Sequence, residues 1–225
     1  MSTLPPTAED PERIRLGRSI RQLGHAVVGH QAPPELLDEL AATLDGYRDR
    51  LMQGERRRRE ETSFAAREFR EVAADGERML SYDDRPFSGR SSPWGIDLAV
   101  HRRGEEIEAD FTLDAAHEGA PGRSHGGIVA GMFDDVFGFV LDIIQQSAFT
   151  GELKIRYEAP TPLHRPLACR GRLRERVGRK IWIEGELVDL GAGDRVVARG
   201  EGLFIAVDIE AMHPTARLPA PPDEA

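Results

Sequence analysis

The chain has 225 residues, 40% of them hydrophobic, and a formal net charge of −9. That suits one ordinary domain with an added segment, or two small ones, and allows a sizeable core. The acidic balance argues against general nucleic-acid binding, the single cysteine, Cys169, excludes an intrachain disulfide, and no apolar stretch reaches membrane-spanning length.

The opening MSTLPPTAEDPERIR has no apolar segment after a basic start. The expectation is therefore no secretory signal, no membrane association and a cytoplasmic location, with residues 1–9 a disordered leader. Asp10 is a candidate N-cap and Pro11 a good first-turn residue. Ile14, Ile20, Leu23 and Val27 then recur at helical spacing. Gln31-Ala32-Pro33-Pro34 breaks that helix. A second follows, with Leu37, Leu40, Ala41, Leu44, Tyr47 and Leu51 on one face. Each apolar stripe needs cover, from the main domain or from a second subunit. Arg56 to Arg59 sit among Glu55, Glu60 and Glu61, so they read as a solvated linker or helix face rather than a phosphate site. Residues 62–80 read as a continuing helix, which gives an N-terminal helical extension over 1–80. The turn-rich Tyr82-Asp83-Asp84-Arg85-Pro86-Phe87-Ser88-Gly89 marks a boundary.

Beyond it the period changes to two. Trp94 to Arg102 and Ile107 to Leu113 alternate around the turn Arg103-Gly104-Glu105. Gly119 to Gln146 comes next. It opens on glycines, with Ser124-His125-Gly126-Gly127, and continues as a long apolar run without proline. This predicts a buried helix whose first backbone N–H groups face whatever sits at its start. At 100° per residue, Gly127, Gly131, Asp135, Gly138, Asp142 and Gln145 share one narrow arc, read as the wet side. Asp134 lies at the edge of that arc, between glycines and hydrocarbon, in a setting that suits a catalytic base. Four strands follow: Phe149–Glu158, Leu167–Arg176, Lys180–Leu190 and Arg195–Val207, joined by short turns. The tail from 209 is rich in proline and alanine and reads as disordered.

Two strands, one long apolar helix and four more strands predict an α+β domain over 81–208. A curved antiparallel sheet wraps one central helix, because no other apolar body is available to cover it.

The segments PGRSHGGIVAGMFDD and FTGELKIRYEAPTPL resemble the hotdog-fold acyl-CoA thioesterases, in the phenylacetyl-CoA thioesterase-like branch. The resemblance covers roughly residues 87–208. It rests on His-Gly-Gly at 125–127, an aspartate nine positions after the histidine, and the strand that follows. It implies hydrolysis of an acyl-CoA thioester, with no cofactor beyond the coenzyme A of the substrate, and no metal. Asp134 would activate water or attack the carbonyl. The N–H of Gly126, with that of Gly127, would hold the thioester oxygen, and fixed donors of that kind contribute about 3 kcal/mol. Thr150 would hold the water, and His125 would fix the loop. Phe137 would line the acyl pocket. Arg179 and Lys180 at a tight turn, or His101, Arg102 and Arg103, would meet the phosphates of coenzyme A. The resemblance also implies a homodimer or dimer of dimers with sites at the subunit interface. A non-catalytic hotdog protein binding an acyl or aromatic ligand, and a hotdog hydratase or dehydratase, are the alternatives.

Overall fold

A computed structural model describes residues 10–56 and 71–207. The readings of a leader at 1–9, of Arg57 to Arg59, of a helix over 62–70 and of a tail from 209 lie outside the described residues. Two N-terminal helices come first, α1 (Pro11–Gly29) and α2 (Pro34–Met52). Asp10 caps α1 as expected, its side chain accepting from the Arg13 N–H at 3.0 Å. Residues 71–80 are extended with a turn instead of helical. They lie along the sheet, where the Met79 N–H donates to the Val100 carbonyl and the Met79 side chain joins the core.

The strands are β1 (Ala99–Arg103), β2 (Glu106–Thr112), β3 (Ala148–Tyr157), β4 (Pro166–Val177), β5 (Lys180–Asp189) and β6 (Arg195–Ala206). The central helix is α3 (Gly126–Ile143). All pairings are antiparallel, in the order β1-β2-β4-β5-β6-β3. The expected hotdog architecture is therefore the one found. α3 carries the chain from β2 across the sheet to its far edge, where β3 pairs with β6 alone.

The sheet accommodates α3 through a row of glycines. Gly171, Gly185 and Gly200 are direct cross-strand partners on β4, β5 and β6. The Phe133 and Phe137 rings lie over this row, both fully buried. A Cβ on Gly185 would come within 2.8 Å of Phe137, and one on Gly200 within 2.8 Å of Phe133. Missing side chains on three adjacent strands make the trough that the helix fills. Phe137 is thus a core residue, and the expectation that it lines an acyl pocket is corrected: glycines beneath it and Phe204 beside it enclose the ring.

The other side of α3 is also covered. Arg85 reaches over Gly138 and donates from Nε to Asp135 Oδ1 at 2.7 Å and from Nη2 to the Asp135 carbonyl at 2.8 Å. The Ser88 N–H donates to Asp135 Oδ2 at 2.6 Å. The Phe87 ring occupies the space a side chain on Gly131 would need. The middle of the arc read as the wet face, Gly131, Asp135 and Gly138, is therefore a docking groove for the loop over 81–97, while Gly127 and Gln145 at its ends are exposed as expected. Asp135 is buried, because an arginine and a backbone N–H satisfy its charge in place of water.

α1 docks on the same domain. Arg21 is buried, donating to the Arg90 and Ser92 carbonyls and pairing with Asp97. His25 meets His117 edge to face with ring centroids 4.7 Å apart, and its Nδ1 accepts from the Ala116 N–H. α1 thus docks through Gly17, Arg21 and His25, while Ile20 and Val27 of its expected apolar stripe stay exposed and Ile14 and Leu23 are half-buried; α2 buries no residue at all.

Candidate active site

His125 is the N-cap of α3. Its Nδ1 accepts the Gly127 N–H at 3.0 Å, so the ring holds the helix start in place. This corrects the expectation for Gly127: its N–H is engaged by His125 and is not free for a substrate oxygen. The Gly126 N–H, by contrast, has no acceptor among the described residues. It points out of the positive end of α3, which suits an oxygen gaining negative charge. The Gly126 carbonyl accepts from the Tyr157 hydroxyl at 2.7 Å. A Cβ on Gly126 would lie 3.1 Å from that hydroxyl oxygen, so glycine here permits the close approach of strand β3. Sequence reasoning gave Tyr157 no role beyond membership of the strand Phe149–Glu158. The signal for more was its place on the helix-facing side of an edge strand.

Asp134 projects from the second turn beyond this point, toward the start of β3. Its Oδ1 accepts from the Thr150 hydroxyl at 2.8 Å. The register between β3 and β6 shifts between Thr150 and Glu152, a bulge at Gly151. Bulges re-aim the neighbouring side chain, and here Thr150 meets the carboxylate. Asp134 is half-buried while Asp135 beside it is enclosed. Asp142, also read as wet, is half-buried.

Asp134 and Gly126 are eight residues apart on one helix, about 12 Å at 1.5 Å rise per residue. One carbonyl cannot touch both, so a single chain offers two half-sites rather than one complete site. The remaining groups are dispersed. Arg179 and Lys180 lead into β5, two strands from β3, and the Arg179 Nε donates to the Ala206 carbonyl at 3.0 Å. His101, Arg102 and Arg103 lie on β1 at the opposite edge, five strand spacings or about 24 Å from β3. Arg102 is engaged with the Ala73 and Gly104 carbonyls. Within one chain this cluster therefore lies far from Asp134.

A cleft of about 510 Å³ lies elsewhere, between α1 and the end of the sheet, lined by Arg21, His25, Phe111, Asp114, His117 and Leu167. Burial, and the nearby His25, hold His117 well below its ordinary range, at about 4, although Asp114 pulls the other way. Its Nδ1 accepts from the Asp114 N–H. Among the described residues no cluster of His, Cys, Asp and Glu could hold a metal ion, and no helix is long and apolar enough to cross a membrane.

No family model matches the chain, and no curated protein matches it. Solved structures do. The thioesterase superfamily protein RHA08564 superposes with a TM-score of 0.71 at 23% identity, covering 90% of this chain and 97% of that one. The Escherichia coli PaaI protein of the phenylacetic acid degradation operon matches at TM-score 0.45 and 17% identity, over 50% of this chain and 80% of its own. A hypothetical thioesterase from Streptococcus pneumoniae TIGR4, solved with coenzyme A, matches at 0.46 and 14%, over 49% and 88%. The first of these superpositions takes in the N-terminal helices as well as the sheet, since it spans nine-tenths of the chain. The chain is built on the hotdog fold.

Proposed function

We propose that this protein hydrolyses acyl-CoA thioesters to the free acid and coenzyme A. The observation that carries the reading is the Asp134–Thr150 hydrogen bond, which sets a half-buried carboxylate at an open sheet edge. With Oδ1 taken by Thr150, Oδ2 is left to accept a proton from water, and the Thr150 oxygen has a lone pair for the same water. The thioester carbonyl gains negative charge as water adds. The Gly126 N–H of a second copy, at the positive end of its α3, stabilises that charge. The expelled thiol leaves as free coenzyme A. Asp134 acts as general base in this scheme, and nothing in it requires a cofactor.

The two half-sites support a dimer directly, since the 12 Å along one helix has to be closed by another chain. β3 supplies a surface for it. Among the described residues it is a ten-residue strand at the sheet edge, with exposed Phe149 and Tyr157, and edge strands pair unless blocked. Arg179 and Lys180 stand on the same end of the sheet as Thr150 and would meet the phosphates of coenzyme A from there.

The test is a panel of aliphatic and aromatic acyl-CoA esters, with released thiol followed by a disulfide reagent. The only cysteine, Cys169, is fully buried, and burial pushes its thiol upward, so the protein adds no background. Turnover by wild type and its loss in Asp134→Ala and Thr150→Ala are expected. Binding of several esters with no thiol release from any would overturn the reading in favour of a ligand-binding hotdog protein.

A further inference from the structure

α1 meets the domain along positions 17, 21, 25 and 29, each an i, i+4 neighbour of the last. They are two glycines, an arginine and a histidine, with no apolar side chain among them. Gly17 lies against the Ser91 carbonyl, and a Cβ on Gly29 would lie 3.0 Å from the Ala115 Cβ. Arg21 is held by the Arg90 and Ser92 carbonyls and by Asp97. Burial of hydrocarbon contributes little on this line. Directed hydrogen bonds at close range fix where the helix sits.

His25 is the member of the line that reaches toward the candidate site. Its Nδ1 accepts the Ala116 N–H at 3.0 Å, and its ring meets that of His117. Both partners belong to the short 3-10 helix Ala115–His117. Asp114 closes that turn: its N–H donates to His117 Nδ1 at 3.1 Å, and its carbonyl accepts the His117 N–H at 2.8 Å. The His117 carbonyl in turn accepts the His125 N–H at 2.8 Å. Two residues on, a Cβ on Gly119 would lie 2.7 Å from the His125 Cα, so the two limbs of this loop touch. His125 caps α3, and its peptide with Gly126 carries the N–H that points out of the helix start. Two hydrogen bonds and one closed turn therefore separate α1 from that peptide.

We propose that His25 is a positioning residue: through Ala116 and His117 it fixes where His125 presents the Gly126 N–H. The inference rests on the thioesterase reading, in which that N–H meets the thioester oxygen. Such a donor acts where the oxygen gains charge, so misplacing it lowers turnover and spares substrate binding.

The test uses full-length protein labelled with ¹³C-carbonyl histidine and ¹⁵N-glycine. Of the seven histidines only His125 precedes a glycine. A carbonyl-to-nitrogen NMR correlation therefore holds one signal, that of the Gly126 N–H. Two variants divide His25 into its parts. His25→Phe keeps a ring and removes the acceptor, whereas His25→Asn keeps an acceptor at the Nδ1 position and removes the ring. The signal should move in His25→Phe, with kcat on acyl-CoA esters lower by about 10- to 100-fold and KM within about twofold. In His25→Asn both should return toward wild type. A merely structural role for α1 would lower the melting point while kcat per folded molecule and the signal stay as in wild type, and that result overturns the proposal. A signal that moves equally in the two variants overturns it too. If the signal follows the expected pattern while wild type releases no thiol from any ester, the thioesterase reading falls and the link from His25 to Gly126 stands.

Discussion

Asp134 and Asp135 are adjacent in the chain, and replacing each with alanine should separate activity from stability. Asp135→Ala removes the partner of a buried arginine. The Arg85 and Asp135 side chains are 13% and 7% exposed, and the Arg85 guanidinium would be left over the Phe139 ring with only Ser81 and a carbonyl as partners. The Ser88 N–H would lose its acceptor as well. Removing one member of a buried pair costs about 3–5 kcal/mol. For a chain of this size each kcal/mol lowers Tm by about 2–4 °C, so a fall of roughly 6–20 °C is expected. Asp134→Ala removes one half-exposed hydrogen bond, worth about 0.5–1.5 kcal/mol, and should move Tm by no more than about 6 °C. Turnover should behave in the opposite way. Asp134→Ala should lose about 10²-fold or more, while Asp135→Ala, measured well below its melting point, should keep most of it. Calorimetry and thiol release on the same samples, at one protein concentration, make the comparison. A melting point unchanged in Asp135→Ala, or lowered equally in both, would refute the assignment of the two carboxylates.

Gly126→Ala should abolish most turnover, because its Cβ would press on the Tyr157 hydroxyl at 3.1 Å; Tyr157→Phe, which only frees the Gly126 carbonyl, should lose several-fold with little change in Tm. Gly200→Ala should destabilise by about 1–3 kcal/mol, since the Phe133 ring stands 2.8 Å from the new methyl, and a urea midpoint equal to wild type would contradict the trough. His117 takes up a proton near 6.5 when unfolded and at about 4 when folded. Its contribution to stability is therefore complete above pH 6.5 and is lost as pH falls toward 4. The urea midpoint of wild type should drop across that window more steeply than that of His117→Gln.

The strands were legible because alternation is a local signal. Leu153, Ile155 and Tyr157, or Ile107, Ala109 and Phe111, declare a strand whatever lies around them. α3 was equally plain from its apolar run and glycine entry. What failed depended on which segments meet across the sequence. The glycine–acid arc was read as wet because nothing in the turn-rich 81–97 announces that Arg85 and Phe87 will lie along it. Phe137 was read as a pocket wall because Gly171, Gly185 and Gly200 come from three strands and line up only through register. Residues 71–80 gave a weak helical pattern, and pairing with β1 overrode it. Asp134 could be set apart from Asp135 in the sequence because that distinction follows from the helical period alone. Its contact with Thr150 was not expected, the resemblance implying only that Thr150 would hold the water, because the Gly151 bulge beside it is not a periodic feature.

The Phe87 ring pressed on Gly131 has a consequence for substrate choice. It covers Gly131, one turn before Asp134, and in the proposed reaction an acyl tail running along that flank would meet it. Under the proposed function, chain-length tolerance would then be governed by a plug carried on the 81–97 loop. Trimming that plug to alanine opens a slot beside Gly131, and longer esters should gain relative to short ones.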